Sequence, residues 1–362
     1  MEKKTEEARL LEQLASNKKA IDKVVLDFLP RNSESPEIGS LYSMMRDYPS
    51  RGGKGLRGTL CLMFCDLFGG KTQSAITTAA GLELFQNWIL IHDDIEDQSD
   101  LRRGLPALHK KFGVELAINT GDALHGKMWE LLLSNARSLG DSVTINILSE
   151  FTRMLNETTE GQHIELAWTC GNNWSIEESD YFLMVIKKSA WYTCISPARL
   201  GLYLSKSNAS RVEPLSSKDM GLLNNIVKMG TDLGIAFQII DDVLNLTADE
   251  TKYGKEILGD IFEGKRTLML IHLLDSIGES ERRKVISLLS KSRQEKTSED
   301  VHFVFEKMKQ YGSIDYARKV AHTHSQRGLK EFDDIASECS PHDAEITVKL
   351  RGLLGYLSSR EY

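Results

Sequence analysis

Taken whole, this 362-residue chain has no excess of positive charge: 45 lysines and arginines stand against 52 aspartates and glutamates, a net of −7. A global basic surface for nucleic acid is not indicated, so no nucleic-acid partner is expected. Cysteine is scarce as well. The five, Cys61, Cys65, Cys170, Cys194 and Cys339, are odd in number and irregular in spacing. They suggest no disulfide framework and favour a reducing, cytoplasmic compartment. No apolar run approaches the roughly 18–20 residues of a membrane span. The start, Met1 to Glu7, lacks the apolar centre of a signal peptide. Sustained strand alternation, short-period repeats and low-complexity tracts are absent too.

What is present reads almost throughout as helix. Ala8 to Leu29 repeats apolar residues close to the 3.6 period, from Leu10 and Leu11 to Val25 and Phe28. Pro30 to Gly39 is a break. Leu60 to Phe68 and Ala75 to Ile91 are apolar enough for buried helices. Ser175 and Glu178 fit a capping box opening the next helix. Lys206 to Ser217, Thr247 to Gly264 and Arg293 to Asp300 are polar connections.

Two acidic clusters stand at the edges of apolar stretches. His92-Asp93-Asp94-Ile95-Glu96-Asp97 follows Trp88 to Ile91, and Asp241-Asp242-Val243-Leu244-Asn245 follows Phe237-Gln238-Ile239-Ile240. On a helix Asp93 and Asp97 share a face, with Asp94 about 100° round. Two carboxylates one turn apart repel unless a cation lies between them. Hard oxygen ligands suit Mg²⁺, which keeps waters and phosphate oxygens in its shell. Basic residues lie near both clusters: Arg102-Arg103-Gly104 after the first, Lys255 and Lys265-Arg266 after the second. Upstream, Arg51-Gly52-Gly53-Lys54-Gly55-Leu56-Arg57-Gly58 offers backbone N–H groups and two cations to an anion, without Walker spacing. Together these predict a Mg²⁺-diphosphate site in a helical protein.

From about Arg51 to Leu273 the chain resembles the trans-isoprenyl diphosphate synthases (polyprenyl synthetases), most like the short-chain geranylgeranyl and farnesyl diphosphate synthases. Asp93-Asp94-Ile95-Glu96-Asp97 matches the family's first Asp-rich motif and Asp241-Asp242-Val243-Leu244-Asn245 its second. Lys188-Ser189 matches its Lys-Thr pair and Phe237-Gln238 its Phe-Gln pair. The resemblance implies an all-α, single-domain isoprenoid synthase fold, helices around a central cavity. Residues 1–39 would be an N-terminal helix and loop, 40–275 the catalytic core and 276–362 C-terminal helices. It implies a homodimer and two substrates, isopentenyl diphosphate and an allylic diphosphate. Three Mg²⁺ would be held by Asp93, Asp97 and Asp241. Asp93, Asp94, Asp97, Asp241, Lys188, Ser189 and Gln238 would be catalytic. Gly53, Lys54, Arg57, Gln86 and Arg103 would serve the isopentenyl diphosphate. Arg102, Lys188, Lys255 and Lys265 would serve the allylic diphosphate, with Ser189 and Gln238 beside the cation formed from it.

The chain departs from the family at Asn245, usually Asp, at Gly55, usually Arg, and at Gly58, usually Pro. An amide can coordinate but carries no charge; the glycines loosen the basic segment. In the family, residues four and five before the first motif floor the tunnel that receives the growing tail. Here they are Ile89 and Trp88. A single indole suggests a short product, geranylgeranyl diphosphate, with farnesyl and C25 products as alternatives. A type I terpene cyclase shares the metal chemistry but needs no second diphosphate site. A non-catalytic partner subunit would be expected to lose a motif. Among weaker signals, Cys61 and Cys65 read as small buried residues and His322 and His324 as exposed helix histidines. Asn119-Thr120-Gly121-Asp122 reads as a turn or cap, and Glu160-Gly161-Gln162 as a helix segment able to face the cavity.

Overall fold

The computed structural model describes residues 2–208, 211–212, 215–248, 257–339 and 344–358. Lys255 lies outside the described residues. The fold is all-α. Strand pairing among the described residues is confined to two short antiparallel ribbons, Leu101–Arg102 with Leu105–Pro106 and Ser207–Asn208 with Arg211–Val212. No described helix is long and apolar enough to cross a membrane.

Packing gathers the chain into two compact units, each drawn from separated stretches. One takes residues 1–154, 193–228 and 331–353; the other takes 155–192, 229–330 and 354–362. In the first unit, helices α1 (Glu2–Phe28), α2 (Pro36–Ser50), α3 (Leu56–Leu67), α4 (Thr72–Glu96), α5 (Leu108–Phe112), α6 (Val114–Leu133) and α7 (Ala136–Leu139) follow one another. The central one is α4, which packs on α6, α3 and α1. Its residues from Thr78 to Trp88 are all buried. A helix apolar on every side is stable only when neighbours surround it. It runs on through the acidic cluster and stops at Asp97.

The second unit takes the later part of α8 (Asp141–Cys170), α9 (Glu178–Val185), most of a π-helical stretch at Ile186–Ile195, as far as Tyr192, and most of α11 (Ser217–Thr247). Between that stretch and α11 lies α10 (Ser196–Ser205), which belongs to the first unit. The core of the second unit joins Tyr181, Met184 and Val185 to Ile239, Val243, Leu270, Leu273 and Val304.

Local expectations needed adjustment. The helix after Asn173 begins at Glu178, and its cap pairs Glu177 with Asp180, whose Oδ2 accepts the Glu177 N–H at 2.9 Å. The box at Ser175 and Glu178 is therefore displaced by two residues. Asn119 to Asp122 are not a turn: they lie within α6, where Gly121 gives room to His92, since a Cβ would sit 2.3 Å from its Nε2. His322 is exposed, but His324 is partly buried, with Nδ1 2.5 Å from Asp232 Oδ1. Cys61 and Cys65 are buried, and burial pushes both thiols up, Cys65 to about 12, as inert core residues require.

Candidate active site

The last turns of α4 separate two neighbouring aspartates. Asp94 is fully buried; Asp93, about 100° round the helix, keeps 19 % of its side chain exposed. Arg102 closes on Asp94 with Nε at 2.9 and 3.0 Å from the two carboxylate oxygens, and its Nη2 donates to Oδ1 as well. The Tyr48 hydroxyl donates to the other side at 2.5 Å and itself accepts the Leu108 N–H at 3.1 Å. Burial, followed by the Asp94 charge, holds the phenol far above its ordinary pKa, so it remains a donor. The same Arg102 guanidinium lies 3.6 Å from Asp93 Oδ2. Asp97 caps the helix, its N–H donating to Asp93 O at 2.8 Å, and its side chain is part-exposed.

Arg102 and Arg103 point apart because Arg102 ends a strand and Arg103 opens the two-residue hairpin turn. Arg103 and Gly104 have φ of +54° and +73°, the left-handed pair that matches the strands' twist. Arg102 is thereby directed at Asp94. Arg103 donates to Tyr48 O at 2.6 Å and to Asn87 Oδ1 at 3.3 Å. Gly53 lies over the Arg103 guanidinium; a Cβ there would be 3.0 Å from Nη2. Lys54 is exposed and Arg57 half-buried, with Nη2 donating to Thr193 Oγ1 at 2.9 Å. The structure thus brings Gly53 and Arg103 together.

Glu83 was not apparent from sequence. It sits among the buried residues of α4 and accepts the Gly58 N–H at 3.0 Å, capping α3, whose own N-cap Gly55 has no side chain. Burial raises its pKa, against the Gly58 hydrogen bond and the charges of Arg57 and Arg103. An acid inside an apolar helix is the signal that could have marked it. Gln86 is buried and its Oε1 has no hydrogen-bond partner among the described residues. Trp88, 8 % exposed, stacks on His125 with ring centres 4.2 Å apart and meets Phe85 edge-on at 5.4 Å. Ile89 beside it is half-buried.

In the second unit Lys188 and Ser189 lie in the π-helical stretch, a form that often marks functional positions. Gly161 of α8 admits that stretch at close range: a Cβ would fall 2.1 Å from the Lys188 nitrogen. Lys188 pairs with Glu165. The Ser189 hydroxyl donates to Gln238 Oε1 at 2.7 Å, Gln238 Nε2 donates to Asp242 Oδ1 at 2.7 Å, and Tyr181 OH donates to Asp242 Oδ2 at 2.8 Å. Burial, with Asp260 and Asp241 near by, pushes Asp242 well above the carboxylate range. Asp241 is part-exposed. Asn245 is buried and takes the Asp260 N–H on its Oδ1 at 3.1 Å. Lys265 lies 2.8 Å from Glu263 Oε2.

Among the described residues no three His, Cys, Asp or Glu side chains gather into a metal cage. Part-exposed carboxylates at Asp93, Asp97 and Asp241 suit a different arrangement. Mg²⁺ commonly takes one or two carboxylates and completes its shell with waters and phosphate oxygens. The donors present fit that ion.

Carboxylates held at the ends of apolar helices, with cations braced beside them, equip a protein to handle an anionic leaving group through a hard metal ion. That is the class of the all-α prenyltransferases. The model of the Polyprenyl synthetase family matches residues 39–308, and the chain belongs to this family. It is 33 % identical over 323 residues to a geranylgeranyl diphosphate synthase of Sulfolobus acidocaldarius, covering 88 % of this chain and 93 % of that one. A second such synthase, from Saccharolobus solfataricus, is 32 % identical over 333 residues, 90 % and 94 % of the two chains. The solved geranylgeranyl pyrophosphate synthetase of Pyrococcus horikoshii superposes with a TM-score of 0.80 at 29 % identity, over 97 % of this chain and 99 % of that one. The protein is an enzyme, a prenyltransferase of isoprenoid biosynthesis, and its family is Mg²⁺-dependent.

Asp94→Ala leaves Arg102 buried and uncompensated and should lower stability by about 3–5 kcal/mol, whereas Asp93→Ala should cost less than about 1 kcal/mol. Denaturant midpoints compare the two; equal losses would refute the division of roles. Gly161→Ala should cost about 1–3 kcal/mol by driving α8 from the π-helical stretch, with activity falling as Lys188 and Ser189 shift. A melt unchanged from the parent would count against the contact.

Proposed function

We propose that this chain makes geranylgeranyl diphosphate (C20), condensing isopentenyl diphosphate with an allylic diphosphate. The observation that carries the product length is Trp88. Its ring is packed by Phe85 and His125, and it stands five residues ahead of Asp93, where the family resemblance puts the tunnel floor. A ring stacked on His125 and met edge-on by Phe85 has little room to swing away and admit a longer tail. The names of the relatives in Sulfolobus and Saccharolobus support the same length.

The residue roles are those the family resemblance implies. Asp93 and Asp97 would hold two Mg²⁺ and Asp241 the third; the ions would neutralise the departing diphosphate. By the same resemblance Lys188, Lys255, Lys265 and Arg102 would serve the allylic diphosphate. Gly53, Lys54, Arg57, Gln86 and Arg103 would hold isopentenyl diphosphate, Gln86 through its amide N–H₂. Ser189 and Gln238 would present oxygen dipoles to the allylic cation without trapping it. Asp94 would act by fixing Arg102. Five cysteines without disulfide partners suit a reducing cytoplasm, and exposed Ile118, Leu133 and Ile145 would supply part of a homodimer face.

Mass spectrometry of dephosphorylated products, with Mg²⁺ and dimethylallyl, geranyl or farnesyl diphosphate as primer, should give a dominant C20 alcohol. Absence of any product from folded protein would overturn the reading. Asp93→Ala should abolish turnover while the protein stays folded. Trp88→Ala should shift products toward longer chains; an unchanged distribution would remove Trp88 from the floor.

A further inference from the structure

The segment that presents Lys265 is held from both ends. At its start Asn245 O accepts the Leu258 N–H at 2.9 Å and Asn245 Oδ1 accepts that of Asp260. At its end the short helix Gly259–Glu263 closes on Gly264 in the left-handed conformation, φ +73°. A helix end leaves carbonyls without intrahelical partners. Here basic side chains supply them. Lys296 Nζ donates to Phe262 O at 2.7 Å, and Arg266 Nη1 donates to Gly264 O. Arg266 is fixed in turn by Trp168 O at 3.1 Å, by Asn173 O at 3.0 Å and by the Trp174 ring 3.8 Å away.

Lys296 is an unusual choice for this task. It is only 8 % exposed, and the charged groups that face it are Arg266, Arg293 and Glu263. Burial, then the two guanidiniums, push its ammonium down to about 8, with Glu263 pulling the other way. An unfolded lysine titrates near ~10.4. The folded state therefore binds this proton less tightly than the unfolded one. Its charge costs stability below about pH 8, and that cost is relieved as pH rises toward ~10.

We propose that Lys296 is a positioning residue for Lys265: by capping Phe262 O it fixes the turn at Gly264 and so the direction in which Lys265 meets the allylic diphosphate. This rests on the role given to Lys265 above. The sequence around Lys296 is a polar break that carries no motif, so only the fold shows the link.

The test is steady-state kinetics and melting of the full chain carrying Lys296→Met, Lys296→Arg, Lys265→Met, or both methionines. Lys296→Met should raise KM for geranyl diphosphate about fivefold and leave that for isopentenyl diphosphate within about twofold. Its Tm should be unchanged or higher. Lys296→Arg should recover most of the loss, and the double variant should be no worse than Lys265→Met alone. The proposal is overturned if Lys296→Met fails to fold, melts lower with both KM values intact, or raises both KM values alike. If Lys265→Met leaves the allylic KM alone, the reading of Lys265 falls and this proposal with it. If only Lys296→Met does so, the proposal alone falls.

Discussion

A carboxylate with no access to water must find its charge balanced within the fold, and Asp94 does so through Arg102 and Tyr48. Much of the first unit's site geometry depends on that triad. Arg102 can reach Asp94 only if the hairpin at Leu101–Pro106 folds back against α4. The same hairpin turns Arg103 to the opposite side, over Gly53 and onto the Tyr48 carbonyl. Tyr48 ties α2 to the start of α5 through the Leu108 N–H. With these elements fixed, Asp93 is left at the part-exposed edge of the helix. An isolated buried ion pair is weak evidence for stability. This one earns its place by setting the direction of three charged side chains.

The second acidic helix repeats the division by other means. Asp241 is part-exposed and Asp242 is buried. A tyrosine donates to the buried acid in each case, Tyr48 to Asp94 and Tyr181 to Asp242. The difference lies in the second partner. Asp94 has a guanidinium; Asp242 has the Gln238 amide, itself held by Ser189. With no cation paired to it among the described residues, burial drives Asp242 toward its neutral form. In both clusters the first aspartate is offered outward and the second organises what surrounds it. Adjacent residues on a helix cannot share a face, so a paired-acid motif divides in this way whenever one flank is buried.

The outward aspartates were legible in the sequence because acids abutting apolar runs are conspicuous, and α4 was legible because its run is long. The residues that brace them were not. Tyr48 lies 46 residues from Asp94 and Tyr181 lies 61 from Asp242, separations that no local pattern encodes. Glu83 was hidden in an apolar run. The π-helical register at Ile186–Ile195 follows from what packs on it, since Gly161 and Gly234 both allow close approach there and neither spacing announces it. The burial of His324 is hidden in the sequence for a similar reason: its partner Asp232 lies 92 residues away.

Asn245 gathers these threads, because the family resemblance makes an acid the usual residue there. Its side-chain oxygen accepts a backbone N–H at the start of the segment that carries Lys265. A carboxylate could accept the same bond, but it would add a charge beside Asp241, Asp242 and Asp260, where burial already opposes ionisation at Asp242. The amide supplies the anchor without that repulsion. The change sacrifices one possible metal-ligand charge and keeps the lysine-bearing segment in place. Asp241, the first acid of the cluster, is untouched, and the amide at 245 keeps the backbone anchor to Asp260.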